Sequence, residues 1–294
     1  MKIERGVQLG RFTTLGTGGP AAAFAKPESV GELQEALAWA RDEGLPVAVV
    51  GLGSNLLVAD EGVEALVLRL AGGLAQVEVD GERIRAGGGA TNAVVLHRAR
   101  DAGLGGFEFA CAIPGTIGGG VRMNAGAYGG EFAHVLEEAV VVDADGVRTL
   151  GPAGLGLSYR RSALAPGQAV AGATLALAPR PSEEVRADVK ALNERRKATQ
   201  PTNKRTFGSV FKNPEHELGA GRMLEECGLK GFRIGGAVVS PRHANFIENA
   251  DGATSADALS LMGEARRRAR ARFGVELEHE VQFLGRLELP PLER

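Results

Sequence analysis

Three glycine-rich turns stand out in the first two-thirds of the chain: Gly51-Leu-Gly-Ser-Asn55, Gly87-Gly88-Gly89, and Gly115 with Gly118-Gly119-Gly120. Each follows or interrupts an apolar stretch that reads as a strand. A backbone without side chains can approach a diphosphate closely and aim successive N–H groups at its oxygens. One such turn is usually only a turn, whereas three in one half of a chain put a ligand site on an equal footing with plain turns. A second group lies in Thr206-Phe-Gly-Ser-Val-Phe-Lys-Asn-Pro214, where the hydroxyl of Ser209 follows a glycine and Lys212 and Asn213 come next, beside Lys204-Arg205. That pattern suits proton donation and anion contact, and it also suits a polar turn stopped by proline. Arg160, in Tyr159-Arg160-Arg161-Ser162, sits in a Leu/Ala/Gly-rich stretch and needs a paired anion if it is buried. Leu277 to Leu284 alternates like a strand, with Leu277, His279 and Val281 on one face and Glu278, Glu280 and Gln282 on the other. Its glutamates read either as site carboxylates or as solvated strand residues.

Other chemistries lack their residues. Gly51-Leu-Gly-Ser-Asn-Leu56 carries Leu where the third glycine of GxGxxG belongs, no GxxxxGK[ST] occurs, and no GxSxG elbow is present. The five histidines make no HExxH or paired spacing and the two cysteines, Cys111 and Cys227, are far apart, so no metal site is expected. Cys111, between two alanines, reads as a small packed residue.

The elements that must hold these residues follow from periodicity and breakers. Helices are expected over 28–43, 91–102 (capped by Thr91 or Asn92), 182–199, 219–227 and 255–273. Strands are expected at 46–50, 56–58, 65–70 and 168–177, with hairpins around Asp80-Gly81 and Asp145-Gly146, and a loop over 207–214. Strands and helices mix without regular βαβ alternation, which favours an α+β fold. The 294 residues suit two or three domains, and 44% hydrophobic with 24% charged residues describe an ordinary globular chain. A net charge of −2 leaves no general field for nucleic acid or membrane. Two cysteines without a framework, no apolar signal core near Met1 and no unbroken apolar span suggest a cytoplasmic protein.

Read together, these segments resemble one family. Gly51-Leu-Gly-Ser-Asn-Leu-Leu57, Ala112-Ile-Pro-Gly-Thr-Ile-Gly-Gly119 leading to Met123-Asn-Ala-Gly-Ala-Tyr-Gly129, Tyr159-Arg160 with Ser162, Gly208-Ser-Val-Phe-Lys-Asn-Pro214 and Leu277-Glu-His-Glu-Val281 look like the signature of the UDP-N-acetylenolpyruvoylglucosamine reductase (MurB) family, in order, over nearly the whole chain. The chain resembles the shorter type, without the tyrosine-bearing loop of the longer one. Gly120 and Phe207 depart from the alanine and the smaller residue common at those positions.

The resemblance implies an FAD-binding fold of the vanillyl-alcohol-oxidase/p-cresol-methylhydroxylase type, with 1–70 and 71–198 holding FAD and 199–294 binding substrate. It implies FAD contacts from Gly51, Gly53, Ser54, Asn55, Leu56, Gly115, Thr116, Gly118, Gly119, Asn124 and Gly126. Substrate contacts would come from Lys212, Asn213, Arg205 and Asn245. It implies NADPH as hydride source and UDP-N-acetylglucosamine enolpyruvate as the small-molecule partner, handled by a monomer. Arg160 would clamp the enolpyruvyl carboxylate, Glu280, protonated or hydrogen-bonded, would support the enolic form, and Ser209 would donate the proton. Two alternatives keep glycine turns but differ elsewhere: another FAD-dependent hydroxy-acid or sugar oxidoreductase need not carry the Gly208–Pro214 segment, and a non-catalytic nucleotide-binding regulator need not carry Ser209, Arg160 and Glu280 together.

Overall fold

The computed structural model describes residues 1–292; the last two residues of the expected 199–294 segment lie outside them. Compactness divides the chain into two units that are each discontinuous in sequence. One comprises Met1–Arg5, Ala23–Leu52 and Glu64–Arg196, the other Gly6–Ala22, Gly53–Val63 and Lys197–Arg294.

The first unit is built on an antiparallel sheet in the order Gly146–Leu150, Leu136–Asp143, Ala169–Ala176, Arg83–Gly87, Val77–Asp80. Both Asp-Gly hairpins form where the turn residues place them. Alternation along the strands loads both faces of the sheet. Val141, Ala173 and Leu175 join a core with Phe107, Phe109 and Phe132, whose rings meet edge to face at 5.4–6.2 Å. Val142, Ala169 and Ala171 pack in a second cluster with Leu33, Ala36, Leu37 and Ala40 of the Val30–Asp42 helix. The i, i+3, i+4, i+7 spacing of those four residues makes this helix amphipathic, and the Ser29 side chain caps it by accepting from the Glu32 N–H. Thr91, not Asn92, caps the Asn92–Asp101 helix. Asn92 is buried and donates from Nδ2 to the Ile113 carbonyl. The Val47–Val49 strand runs parallel to Val63–Leu68, so the expected 65–70 strand begins and ends two residues earlier. A short Ile117–Arg122 helix was not legible, because three consecutive glycines are poor helix formers.

The second unit packs the Ala220–Glu226 and Ser255–Phe273 helices on a four-stranded antiparallel sheet in the order Thr206–Ser209, Phe246–Asn249, Ala237–Val239, Arg233–Ile234. Its core holds Phe207, Phe211, Met223, Leu224, Ile247, Leu261 and Met262, together with Leu15 and Leu57 from distant segments. Phe207 is fully buried there, so its bulk is part of the core. The long helix has the bounds its periodicity suggests, with a Thr254/Asp257 capping box at its start and left-handed Gly274 at its end.

Two expectations need correction. Residues 207–209, expected within a loop, belong to the Thr206–Ser209 strand: Thr206 faces Glu248 and Ser209 faces Phe246, so three steps on one strand oppose two on the other. This is a β-bulge, and Gly208 with φ +82° makes it possible. Leu277–Leu284 is not one continuous strand. Its first half pairs with 210–212, bridging at Phe211 and His279, while only Gln282–Leu284 forms a strand, parallel to Leu56–Val58. The run changes partners midway, and the ladder breaks there.

Candidate active site

In the first unit the glycine turns meet. A cavity of about 380 Å³ is lined by Gly51 and Leu52, by Gly88 and Gly89, and by Thr116, Gly118 and Gly119, so all three turns recognised in sequence share one wall. That volume lies within the range of roughly 300–1,000 Å³ usual for small-molecule sites. Close approach explains Gly51: a Cβ there would sit 2.5 Å from Thr116 Oγ1. The amides of the second and third turns are largely used by the protein, Gly118 N–H donating to the Gly88 carbonyl at 2.8 Å and Gly89 N–H to that of Leu74 at 2.8 Å. Among the described residues no hydrogen bond uses the Gly51 or Leu52 N–H, which leaves these two donors for a ligand. Val49, Val50, Arg122, Gln168 and Val170 also line the cavity and were not singled out in sequence. Arg122 had a faint signal, as a lone basic residue in a glycine-rich stretch.

A second locus of the same unit laces residues 122–133 to 158–162. Asn124 is buried; its Nδ2 donates to the Ser158 carbonyl at 3.1 Å and its Oδ1 accepts from Ala133 N–H at 2.9 Å. Arg160 Nη2 donates to the Gly126 carbonyl at 2.6 Å, and its guanidinium lies 4.9 Å from the Tyr159 ring centroid. Ser162 Oγ donates to the Arg122 carbonyl at 2.6 Å. Among the described residues only Asn124, Tyr128 and Arg160 are non-glycines with positive φ, at 39°, 53° and 55°. Strained backbone of this kind gathers at functional sites. The structure therefore brings Arg160, Asn124 and Gly126 together, and it gives the Asn124 amide the work of holding the two loops.

In the second unit Ser209 ends its strand one residue before a cross-strand tie: Glu280 N–H donates to the Val210 carbonyl at 2.8 Å, and Lys212 N–H to that of Glu278 at 2.9 Å. Ser209 and Glu280 thus stand on adjacent extended segments, both half-buried. Asn55 fixes the point where 277–284 changes partner, its Nδ2 donating to the Glu280 carbonyl at 3.2 Å and its own carbonyl accepting from Gln282 N–H at 3.0 Å. Leu56 pairs with Gln282 in the strand that follows. Gly53 and Ser54 complete this turn: the Gly53 carbonyl accepts from Thr14 N–H at 3.1 Å, and the Ser54 carbonyl lies 3.3 Å from where a Gly208 Cβ would be. Beneath Ser209, buried Asn245 grips the backbone of Phe211 with both ends of its amide, at 2.9 and 2.8 Å. Asn213 Oδ1 accepts from Ala220 N–H at 3.1 Å, at the start of a helix. Lys212 Nζ pairs with Glu278 at 2.6 Å, and Arg205 is exposed. The imidazole of His243 is pushed below its ordinary pKa, first by burial and then by Lys230. Gly115, finally, belongs to the first unit, its carbonyl accepting from Asn92 N–H at 3.0 Å.

Among the described residues no three His, Cys, Asp or Glu side chains gather closely enough to hold a metal ion, and no helix is long and apolar enough to cross a membrane.

Residues 21–151, which carry all three glycine turns of this cavity, match the family model described as "FAD binding domain", so the α+β scaffold is that of an FAD-binding protein. Residues 200–284 match "UDP-N-acetylenolpyruvoylglucosamine reductase, C-terminal domain". The chain is 46% identical to UDP-N-acetylenolpyruvoylglucosamine reductase 2 of Symbiobacterium thermophilum, over 97% of this chain and 92% of that one. It is 41% identical to the reductase of Anaeromyxobacter sp., over 99% and 92%. It superposes on the crystal structure of UDP-N-acetylenolpyruvylglucosamine reductase (MurB) from Thermus caldophilus with a TM-score of 0.85 at 39% identity, covering 97% of this chain and 99% of that one. The chain belongs to the UDP-N-acetylenolpyruvoylglucosamine reductase family.

Proposed function

We propose that this chain is the FAD-dependent reductase that converts UDP-N-acetylglucosamine enolpyruvate to UDP-N-acetylmuramate for peptidoglycan precursors, with NADPH as reductant. The observation that carries the reading is the meeting of three glycine turns at one cavity in a chain of this family. In this proposal residues 1–70 and 71–198 hold FAD, the turns of Gly51–Leu56 and Gly115–Gly119 facing its diphosphate and Asn124–Gly126 lying toward its flavin. Residues 199–294 hold the UDP-sugar, through the charges of Lys212 and Arg205, with Asn213 and Asn245 fixing the backbone that shapes the site. The cradle fits the group: Gly51 carries no Cβ where one would fill the gap to Thr116, and its N–H and that of Leu52 are unclaimed among the described residues. When bound, FAD supplies hydride transfer, from NADPH and then to the enolpyruvyl double bond.

The chain's own residues handle charge and proton. Adding hydride to the methylene carbon of an enol ether leaves negative charge on the neighbouring carbon and its carboxylate, which is unfavourable without stabilisation. Arg160 offers a planar fork to that carboxylate, and its bond to the Gly126 carbonyl fixes where the guanidinium stands. Glu280, protonated or hydrogen-bonded, supports the enolic form. Ser209 gives its proton to the carbanionic carbon, a task for which a weak acid suffices because the centre is strongly basic. Donors in such sites typically contribute about 10²–10³ in rate each.

The test is anaerobic. Protein reduced with NADPH should return to the yellow oxidised form when mixed with UDP-N-acetylglucosamine enolpyruvate, with UDP-N-acetylmuramate as product. A protein that never turns yellow with FAD, or that stays reduced in the presence of this substrate, would refute the reading.

A further inference from the structure

Arg122 is a half-buried cation in the wall of the glycine-lined cavity. Among the described residues its guanidinium reaches only backbone oxygens, those of Gln168 at 3.2 Å and Ala165 at 3.5 Å, the second at the limit of a hydrogen bond. Among the described residues it makes no ion pair, and burial lowers its pKa with no carboxylate acting in the other direction. Arginine nonetheless stays charged. The lining includes two further cations, Lys26 and Arg69, and no carboxylate at all. A partly desolvated charge such as that of Arg122 is costly without a counter-charge, and with no carboxylate in the lining an anionic ligand is what supplies it.

We infer that Arg122 supplies the fixed counter-charge for a phosphate of the dinucleotide in this cavity, so that the cavity takes the adenosine-diphosphate half of the cofactor. The inference rests on the FAD reading above and names a residue to which that reading gives no part. Fork geometry suits the task, since two parallel N–H groups can meet two phosphate oxygens while the helix and the 165–168 loop hold the guanidinium in place. Lys26 is exposed and lends a screened charge, whereas Arg122 is sheltered and its pairing should persist in salt.

The experiment measures binding to apo-protein, with FAD, ADP and riboflavin titrated separately against wild type, Arg122→Gln and Arg122→Lys. Arg122→Gln should weaken FAD and ADP together by about 10- to 100-fold and leave riboflavin, which has no phosphate, unchanged. The loss should be the same at high and low salt. Arg122→Lys keeps the charge and should stay within about tenfold of wild type for both phosphate ligands. Unchanged ADP affinity in Arg122→Gln, or an equal loss for riboflavin, would reduce Arg122 to a tether for the 165–168 loop and overturn the proposal. Should Arg122→Gln fail to fold, Arg122→Met takes its place: wild-type ADP affinity in a folded methionine variant overturns the proposal too. Wild type that binds neither FAD nor ADP would instead sink the FAD reading itself.

Discussion

At the scale of single residues, the geometry of Ser209 depends on the glycine before it. Gly208 holds φ +82° in the bulge, and a Cβ there would lie 3.3 Å from the Ser54 carbonyl. Gly208→Ala should therefore cost about 1–2 kcal/mol in urea unfolding. It should also depress turnover more than Ser54→Ala does, because it moves the Ser209 hydroxyl. Ser209→Ala makes a separate prediction. Flavin reduction by NADPH should proceed near the wild-type rate, while reoxidation by the enolpyruvyl sugar slows by about 10²–10⁴, read by stopped-flow absorbance. Rapid reoxidation in that variant would remove Ser209 from the proton transfer. Part of this scale was legible: the three glycine turns are marked by local order and do line one cavity, and Arg160 and Gly126, each marked in its own stretch, are brought together. The tasks of Asn245 and Asn213 were not. Both read as ligand contacts, and both hold backbone through partners that the linear sequence does not mark, one at Phe211 and one at Ala220.

At the scale of elements, the segment carrying Ser209 is held by Asn245. Asn245→Ala would leave the Phe211 N–H and carbonyl without their side-chain partners in a buried place, a loss of about 2–4 kcal/mol by chemical denaturation. Asn245→Asp keeps the acceptor but sets a carboxylate oxygen against the Phe211 carbonyl in a buried place, so it should lose at least as much at neutral pH and recover part of the loss as falling pH protonates it. The Ser255–Phe273 helix supplies a pH test. Glu264 lies between Arg267 and Arg268, whose hydrogen bonds draw its pKa down from 4.5 to about 2. A carboxylate depressed on folding stabilises the native state above its unfolded pKa, and that contribution is lost as the pH falls through the folded value. Stability should then decline between about pH 5 and pH 2, modestly because Arg267 is largely exposed. Glu264→Gln should flatten that acid limb, and an unaltered limb would show that the pair contributes nothing. Helices were the most legible elements, since caps and apolar spacing are local: 255–273 agrees with its signals at both ends. The bulged strand at 206–209 was not, because glycine and proline mark loops and bulges alike.

At the scale of the molecule, the second unit is assembled from three stretches of chain that local pattern cannot join. Gly6–Ala22 brings Leu15 into its core, and Gly53–Val63 brings Leu57 together with the strand that pairs with Gln282–Leu284. Asp60 accepts from the Ser255 and Ala256 N–H groups at 2.9 and 3.0 Å, and the Ser255 hydroxyl donates to Thr17 Oγ1 at 2.7 Å, a buried pair. Two amides of the long helix's first turn are thus satisfied by Asp60, 195 and 196 positions upstream. Such returns leave no periodic trace, which is why the sequence suggests a self-sufficient C-terminal segment. A fragment of residues 197–294 should consequently lack two core leucines, a strand partner and the Asp60 contacts. Burial lost at two leucines alone is worth about 3–6 kcal/mol, comparable to the whole stability of a small domain. The fragment should show no cooperative unfolding transition and poor amide dispersion by NMR, while the full chain melts cooperatively. A fragment that unfolded in a sharp transition would mean that the long-range segments decorate this unit rather than complete it.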